Sequence, residues 1–247
     1  MIIVKYWPHV YPNLFYLALI FIIISASSLD LRQNAILGAP VKYLDYYPNL
    51  ILLRQNEIYG KTFKIVLKNR QSRVTIIAPH GGLIEPGTSN LAIAIAGHQY
   101  NLYDFEGLLK TNNTKLHVTA THFRDPDLIQ LLKKSQFAIS IHSYGTEDSK
   151  VIWLGGLNLS LKDMIKQNLS QAGFAVNDHS PRYKGLSPKN IVNLTPNFGC
   201  QIELPKDLLD SMYIGRHKFS KNGFIIPNII FYKFVKAVRK AIKEELN

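Results

Sequence analysis

Val74-Thr75-Ile76-Ile77-Ala78, closed by Pro79-His80-Gly81-Gly82, constrains the fold of this chain more than any other segment. A short, nearly all-apolar run is the signature of a strand buried on both faces, which has no solvent side to make polar. Phe137 to Ile141 repeats the pattern and runs into His142, and Gln201 to Leu204 is a third short strand that contains Glu203. Thr62 to Leu67, Leu116 to Phe123 and Val151 to Leu154 are further strand candidates. The polar stretch Lys68-Asn69-Arg70-Gln71-Ser72 reads as the turn between the first of these and the Val74 strand. Elsewhere the spacing is helical: Leu50 to Glu57, Asn90 to His98, and a segment opened by Asp125-Pro126 that runs to Lys134. Leu159 to Gln171, with Gly173 as its stop, and Asn228 to Leu246, with a basic exposed face, complete the set. Strands buried on both faces and alternating with helices predict an α/β sheet covered by helices on both sides.

In open α/β sheets, ligands bind at the carboxyl ends of strands. His80, His142 and Glu203 fall there, each interrupting an apolar run where a polar side chain without a partner costs free energy. Glu85 lies five residues past His80, a spacing that does not share a helix face, so a helical His–Glu zinc motif is excluded and a loop must bring the two together. Gly81, Gly82 and Pro86-Gly87 supply that loop's turns. Two histidines and a carboxylate, with a fourth position left to water, form an open catalytic zinc set, and a further carboxylate such as Glu203 fits a proton acceptor. Cys200 is the single cysteine, which excludes an internal disulfide and a thiolate-rich metal site. Each residue also has an ordinary reading, as a satisfied strand-end histidine, a helix N-terminal acid or a surface acid before Pro205. Spacing alone leaves the two readings level.

Other residues are candidates for a cleft wall. Tyr144 lies two residues past His142. His117, Thr119 and Thr121 alternate onto one strand face, while His122, on the other, reads as structural. Arg124, Arg182, Lys184 and Arg216 are candidates for an anionic substrate, against an ordinary reading as solvated charges. Cys200 has no evident basic partner to activate it and Trp153 reads as core. The 29 Lys and Arg against 17 Asp and Glu give a net charge of +12, which points to an anionic partner or simply to solubility. No Lys/Arg run of nucleic-acid type occurs, and Lys133-Lys134 and Lys233 to Lys243 read as polar helix faces. An anionic polymer or surface is therefore preferred over nucleic acid.

Leu14 to Ile24 is unbroken apolar sequence, preceded by Lys5 and His9 and followed by Ser25-Ala26-Ser27-Ser28. These are the parts of a signal peptide over residues 1–28, with cleavage near Ser27. The run is short for a membrane span, which needs about 20 residues, but its apolar character extends towards Tyr11 and an uncleaved membrane anchor is the alternative. Either predicts a secreted or periplasmic domain. Residues 29–44 read as a linker or arm and 45–247 as the catalytic domain, long enough to bury a sizeable core.

Ala78-Pro79-His80-Gly81-Gly82-Leu83-Ile84-Glu85-Pro86-Gly87-Thr88-Ser89 resembles the zinc-site motif of the phage and bacterial poly-γ-glutamate hydrolase family. Tyr103-Asp104-Phe105-Glu106-Gly107, Leu116 to Phe123 and Ser140-Ile141-His142-Ser143-Tyr144-Gly145 resemble further blocks in the family's order. Leu154 to Asn158, Ala172-Gly173-Phe174, Ser187 to Asn193 and Gln201-Ile202-Glu203-Leu204-Pro205 continue it. The resemblance implies a zinc carboxypeptidase-like fold, a mixed and mostly parallel sheet flanked by helices, with one Zn2+. It also implies that His80, Glu85 and His142 are the ligands, that Glu203 is the general base, and that γ-glutamyl amide bonds are hydrolysed. Asn190 and Asn193 join Tyr144, Arg124 and Arg182 as substrate-binding candidates. There are departures: Leu194 stands where the family commonly has Arg, and Gly199-Cys200 where it has a glycine pair. A missing Arg removes a natural clamp for a substrate carboxylate. That leaves two alternatives to an exported hydrolase of poly-γ-glutamate: a γ-glutamyl peptidase acting on peptidoglycan stem peptides, or a non-catalytic basic polymer-binding protein.

Overall fold

The computed structural model describes residues 45–145, 150–214 and 226–247. The apolar run at 14–24, the arm at 29–44 and Arg216 lie outside them. Asp45–Asn247 packs as one unit. In chain order its elements are α1 (Leu50–Asn56), β1 (Phe63–Lys68), β2 (Val74–Gly82), α2 (Thr88–Ala96), β3 (Asn101–Gly107), α3 (Pro126–Lys133) and β4 (Phe137–Tyr144). They continue with β5 (Ile152–Gly155), α4 (Leu159–Gln171), β6 (Val176–Asn177), β7 (Gly199–Pro205), α5 (Lys206–Ser211), β8 (Tyr213–Ile214), β9 (Ile226–Pro227) and α6 (Ile229–Leu246).

β1 to β7 form one sheet in the order β1-β3-β2-β4-β7-β5-β6, and β8 and β9 form a separate two-stranded ribbon. The pairs β2/β3, β2/β4, β4/β7 and β5/β6 are parallel, and β1/β3 and β5/β7 are antiparallel. The sheet is thus mixed and mostly parallel, as expected. β2, β4 and β7 are central and buried on both faces, which is why their sequences are so apolar. On one face Ile76, Ala78, Ile139, Ile141, Cys200 and Ile202 pack with α2, α4 and α6. On the other, Ile77, Ala138, Tyr103 and Phe105 pack with α1, α3 and the 3-10 turns Asn113–Leu116 and Ile191–Asn193. This second face carries fewer and shorter helices, which leaves the ends of β2, β4 and β7 open there.

Local chemistry sets the helix ends. Asp125 caps α3 by accepting from the amides of Asp127 and Leu128, and Pro126 fills the first turn where no amide is needed. Asn158 caps α4 and Asn228 caps α6 in the same way. α6 buries Phe231, Phe234, Val238 and Ile242 and turns Lys233, Lys236, Lys240 and Lys243 outward. Among the described residues, no helix is long and apolar enough to cross a membrane.

One strand expectation fails. Leu116 to Phe123 is not a strand: it leaves the Asn113–Leu116 turn as irregular chain. Leu116, Val118, Ala120 and Phe123 are buried, so the alternation is real, but among the described residues no strand lies alongside to complete a ladder. Asp45 and a turn from the His122 amide to the Thr119 carbonyl hold the segment instead. The Thr62 and Val74 strands are both present as expected, joined by the polar stretch, but they are not neighbours in the sheet. β3 lies between them, and its Asp104 and Glu106 hide it from an apolar-pattern reading.

Candidate metal centre and active-site cleft

Strand alternation and register assemble one wall of the site. Because successive side chains point to opposite faces, placing Ile139, Ile141, Cys200 and Ile202 against the helices places Ser140, His142, Gln201 and Glu203 on the open face. The β4/β7 register then sets His142 opposite Glu203 and Ser140 opposite Gln201. β2 contributes His80 from within a register break between Ala78 and Gly81, a local re-aiming of the strand.

The turn from His80 to Glu85 is tied down at several points. The Glu85 amide donates to the His80 carbonyl at 2.9 Å and the Leu83 amide to the Gly107 carbonyl at 3.0 Å. The Ser89 hydroxyl donates to Asp104 at 2.9 Å and accepts from the Gly82 amide at 2.8 Å. Gly82 has φ of 64° and lies against the Gly107 backbone, so a side chain there would be strained and crowded. A Cβ on Gly81 would collide with the side chains of Asp104 and Ser89.

His80, Glu85 and His142 converge, with one ligand atom from each all within 4.8 Å of one another. Nε2 of His80 lies 2.9 Å from the Val118 carbonyl oxygen, which only accepts, so this nitrogen carries the proton and Nδ1 presents its lone pair. Nδ1 faces Glu85 Oε1 at 2.7 Å and His142 Nδ1 at 3.2 Å. Glu85 Oε2 accepts from the Ser143 amide at 2.8 Å and lies 3.8 Å from His142 Nδ1. His142 Nε2 is buried and has no hydrogen-bond partner among the described residues. A single proton relieves one pair of these facing acceptors; a divalent cation satisfies all three groups together. The carbonyl that fixes the His80 tautomer is the usual outer support of a ligating imidazole.

The electrostatics agree. Burial pushes His80 down, to about 4. Burial, then the His80 and His117 rings, hold His142 well below the ordinary histidine value. Both imidazoles are therefore neutral, the form that ligates metal. Burial raises Glu85, and burial and then the Glu85 carboxylate raise Glu203. This donor set of neutral rings and buried carboxylates fits a cation. Glu203, 6 % exposed, stands outside the triad, and Gln201 donates to its Oε1 at 2.6 Å. Asn190 donates in turn to Gln201 at 2.9 Å.

These groups line a cleft of about 460 Å³, within the roughly 300–1,000 Å³ of small-molecule sites. Tyr144, Asn190 and Arg182 are in its wall, as are His117, Thr119 and Thr121. The His117 ring lies 3.9 Å, centroid to centroid, from that of His80, and its Nδ1 is 2.7 Å from Asp45. Asn193 is not in the wall. Its amide donates to the Gly185 and Ser187 carbonyls at 2.7 and 2.9 Å and accepts from the Leu157 amide, so it holds the loop that forms the wall. Arg124 is not there either; it donates to the Lys189 carbonyl at 2.9 Å. Lys184 is exposed, His122 lies outside the cleft, and Leu194 packs against the second-face core. Cys200 is buried on the helical face, and burial pushes its thiol up, away from nucleophilic use. Trp153 is not core: it is half-buried and lines a side cavity. Gln201 is a cleft residue that the strand-end reading does not pick out, although its place two residues before Glu203 puts it on the same face.

The model of the poly-gamma-glutamate hydrolase family matches residues 47–237. The chain belongs to this family. Membership makes it a hydrolase acting on amide bonds. Among relatives, the SPbeta prophage-derived UPF0714 protein YoqZ of Bacillus subtilis strain 168 is 31% identical over 218 residues, 87% of this chain and 76% of that protein. The UPF0714 protein YndL of the same strain is 32% identical over 204 residues, 81% of this chain and 78% of that protein. The solved structure of a bacteriophage poly-gamma-glutamate hydrolase superposes with a TM-score of 0.78 at 31% identity, covering 82% of this chain and 98% of the other. The zinc-free apo structure of YndL superposes with a TM-score of 0.74 at 32% identity, covering 82% and 100%.

Proposed function

We propose that this chain is an exported zinc hydrolase that cuts γ-glutamyl amide bonds in an anionic polymer such as poly-γ-glutamate. The observation that carries the reading is the convergence of His80, Glu85 and His142 on one point beside an independently held carboxylate, Glu203. Zinc is the metal named for the YndL structure, and two neutral imidazoles with one carboxylate suit it. Zinc bound there supplies Lewis acidity in a pocket with room for substrate. The remaining roles belong to the chain. Glu203 accepts the proton of the attacking water and passes it to the leaving amine; burial and then the Glu85 carboxylate raise its pKa, which favours holding that proton between the two transfers. Gln201 fixes one oxygen of Glu203 and leaves the carboxyl facing the cleft. Val118 and Ser143 orient His80 and Glu85 through their backbone. The net charge of +12 suits a polyanion.

Export rests on the apolar run at 14–24, and N-terminal sequencing of protein recovered from culture medium tests it. Leu194 packs away from the cleft, so the departure at that position gives no ground for preferring peptidoglycan stem peptides. Elemental analysis and a substrate panel test the main reading. One zinc per chain, its loss in His80→Ala, and release of glutamate oligomers from purified polymer are expected. A purified chain with no stoichiometric metal, or one that digests stem peptides and leaves the polymer intact, refutes it.

A further inference from the structure

A second cavity, of about 230 Å³, shares Tyr144, Arg182 and Tyr183 with the candidate active-site cleft. Trp153, Gly145 and Ser180 complete most of its wall. Its position follows from the sheet. β5 runs antiparallel to β7, with Trp153 directly opposite Glu203. Paired residues on adjacent strands lie about 5 Å apart, so the chamber begins one strand beyond the proposed base. Trp153 is half-buried although Ile152 and Leu154, its neighbours on β5, are fully buried. A large ring is thus left partly uncovered at the edge of a site, where it offers apolar surface to a ligand.

The walls are held in place before any ligand arrives. Tyr144 donates its hydroxyl to the Val151 carbonyl at 2.6 Å, and its ring lies 5.1 Å from that of Tyr183 with planes 33° apart. Ser180, 3 % exposed, accepts from the Tyr183 amide at 2.8 Å and the Arg182 amide at 3.3 Å. That turn presents Arg182 and Tyr183 on the border of both chambers. A preformed pocket of aromatic walls with one convergent charge has the makeup of a ligand subsite.

We propose that this chamber is a substrate subsite for the γ-glutamyl unit adjoining the scissile bond. The inference rests on the γ-glutamyl reading of the cleft. A γ-linked glutamyl unit consists of a short methylene run with a carboxylate beside it. The methylenes pack on Trp153 and Tyr183, and the carboxylate is drawn to Arg182. Trp153 is then a residue that determines chain-length preference, and Arg182 serves both chambers.

The chain has two tryptophans, Trp7 and Trp153. In Trp7→Phe, the remaining fluorophore reports on the subsite directly. Titration of this zinc-loaded variant with γ-linked tetraglutamate is expected to give a saturable change in emission, repeated when Glu203→Gln is added. Arg182→Gln is expected to weaken the binding about tenfold or more. In steady-state kinetics with γ-linked oligomers of increasing length, KM of the parent falls as the subsite fills. In Trp153→Ala that dependence on length flattens, and Trp153→Phe restores most of it. Trp153 emission indifferent to oligomers that the enzyme cleaves overturns the subsite, as does an unchanged length dependence in a folded Trp153→Ala. Saturable emission changes in a zinc-loaded chain that cleaves no γ-linked oligomer refute the γ-glutamyl hydrolase reading and overturn the chamber's role as a substrate subsite, leaving it a binding site for γ-linked glutamate alone.

Discussion

Replacing Glu203 with glutamine separates the proposed base from the metal set. Glu203 is 6 % exposed, and one of its oxygens accepts from the Gln201 amide at 2.6 Å. A glutamine of the same shape keeps a carbonyl oxygen for that bond, so the local structure is retained while proton-accepting capacity is lost. A general base contributes about 10²–10⁴-fold, which is about 3–5.5 kcal/mol of barrier. Turnover on a γ-glutamyl polymer is expected to fall by that factor with KM little changed. Zinc content is expected to stay at one per chain, because the triad of His80, Glu85 and His142 does not include Glu203. Stability is expected to hold or rise, since burial makes the charged carboxyl costly and the Glu85 carboxylate adds to that cost. The assay takes turnover, zinc by elemental analysis and the thermal midpoint from one preparation. Turnover within about tenfold of the parent, with zinc bound, refutes the assignment of Glu203 as base. Loss of zinc also refutes it, by making Glu203 a ligand.

Gly81→Ala places a Cβ against Asp104 and Ser89, so overpacking of about 1–3 kcal/mol is expected to outweigh the smaller gain from a stiffer unfolded chain. Thermal melting reads the loss, and zinc titration reads the accompanying displacement of His80. Asp104 is held protonated by burial first and then by the Glu106 charge, with its pKa raised from 3.8 to about 8. Its unfolded form ionises at the lower value, so unfolding releases a proton, and its contribution to stability is full below pH 3.8 and lost as pH rises to about 8. Denaturant titrations from pH 5 to 8 are expected to show a slope shallower by up to about 1.4 kcal/mol per pH unit in Asp104→Asn than in the parent, and equal slopes count against the buried neutral carboxyl. Asn193→Ala removes three hydrogen bonds that hold the 185–187 loop. It is expected to cost about 1–3 kcal/mol and to weaken substrate binding more than zinc binding, which isothermal titration separates.

How much of this was legible in the sequence follows from the range of the interactions involved. The apolar runs at Val74 and Phe137 are buried on both faces in the fold, because two-sided burial is written residue by residue. Helix ends were readable for the same reason, since Asp125, Asn158 and Asn228 act on amides within three residues of themselves. β3 was not readable. It is held by partners on both sides, so Asp104 and Glu106 can interrupt its apolar pattern without breaking its ladder. Leu116 to Phe123 is the converse case: alternating burial was present and the neighbouring strand was not.

The cleft divides along the same line. His142 and Glu203 come together by alternation within β4 and β7 plus one register, and alternation is visible in sequence. Gln201 follows from the same rule, two residues before Glu203, and needed only that the rule be carried one step further. Trp153 shows where the rule stops. β5 also contains alternating side chains, but whether Trp153 faces the helices or the open face depends on its antiparallel register with β7. A shift of one residue would send it into the helical core. Tyr183 is less visible still, and Arg182 was open to the sequence only as one of several candidate cations, because a turn made by Ser180 carries both to the cleft. His80 and His142, two of the three candidate metal donors, therefore sit on strands whose local pattern specifies them, and the chamber proposed to select chain length is built from one register and one turn. On this arrangement, substitutions in the 180–183 turn can change which oligomers bind while leaving the placement of His80, Glu85 and His142 to β2, the turn that follows it, and β4.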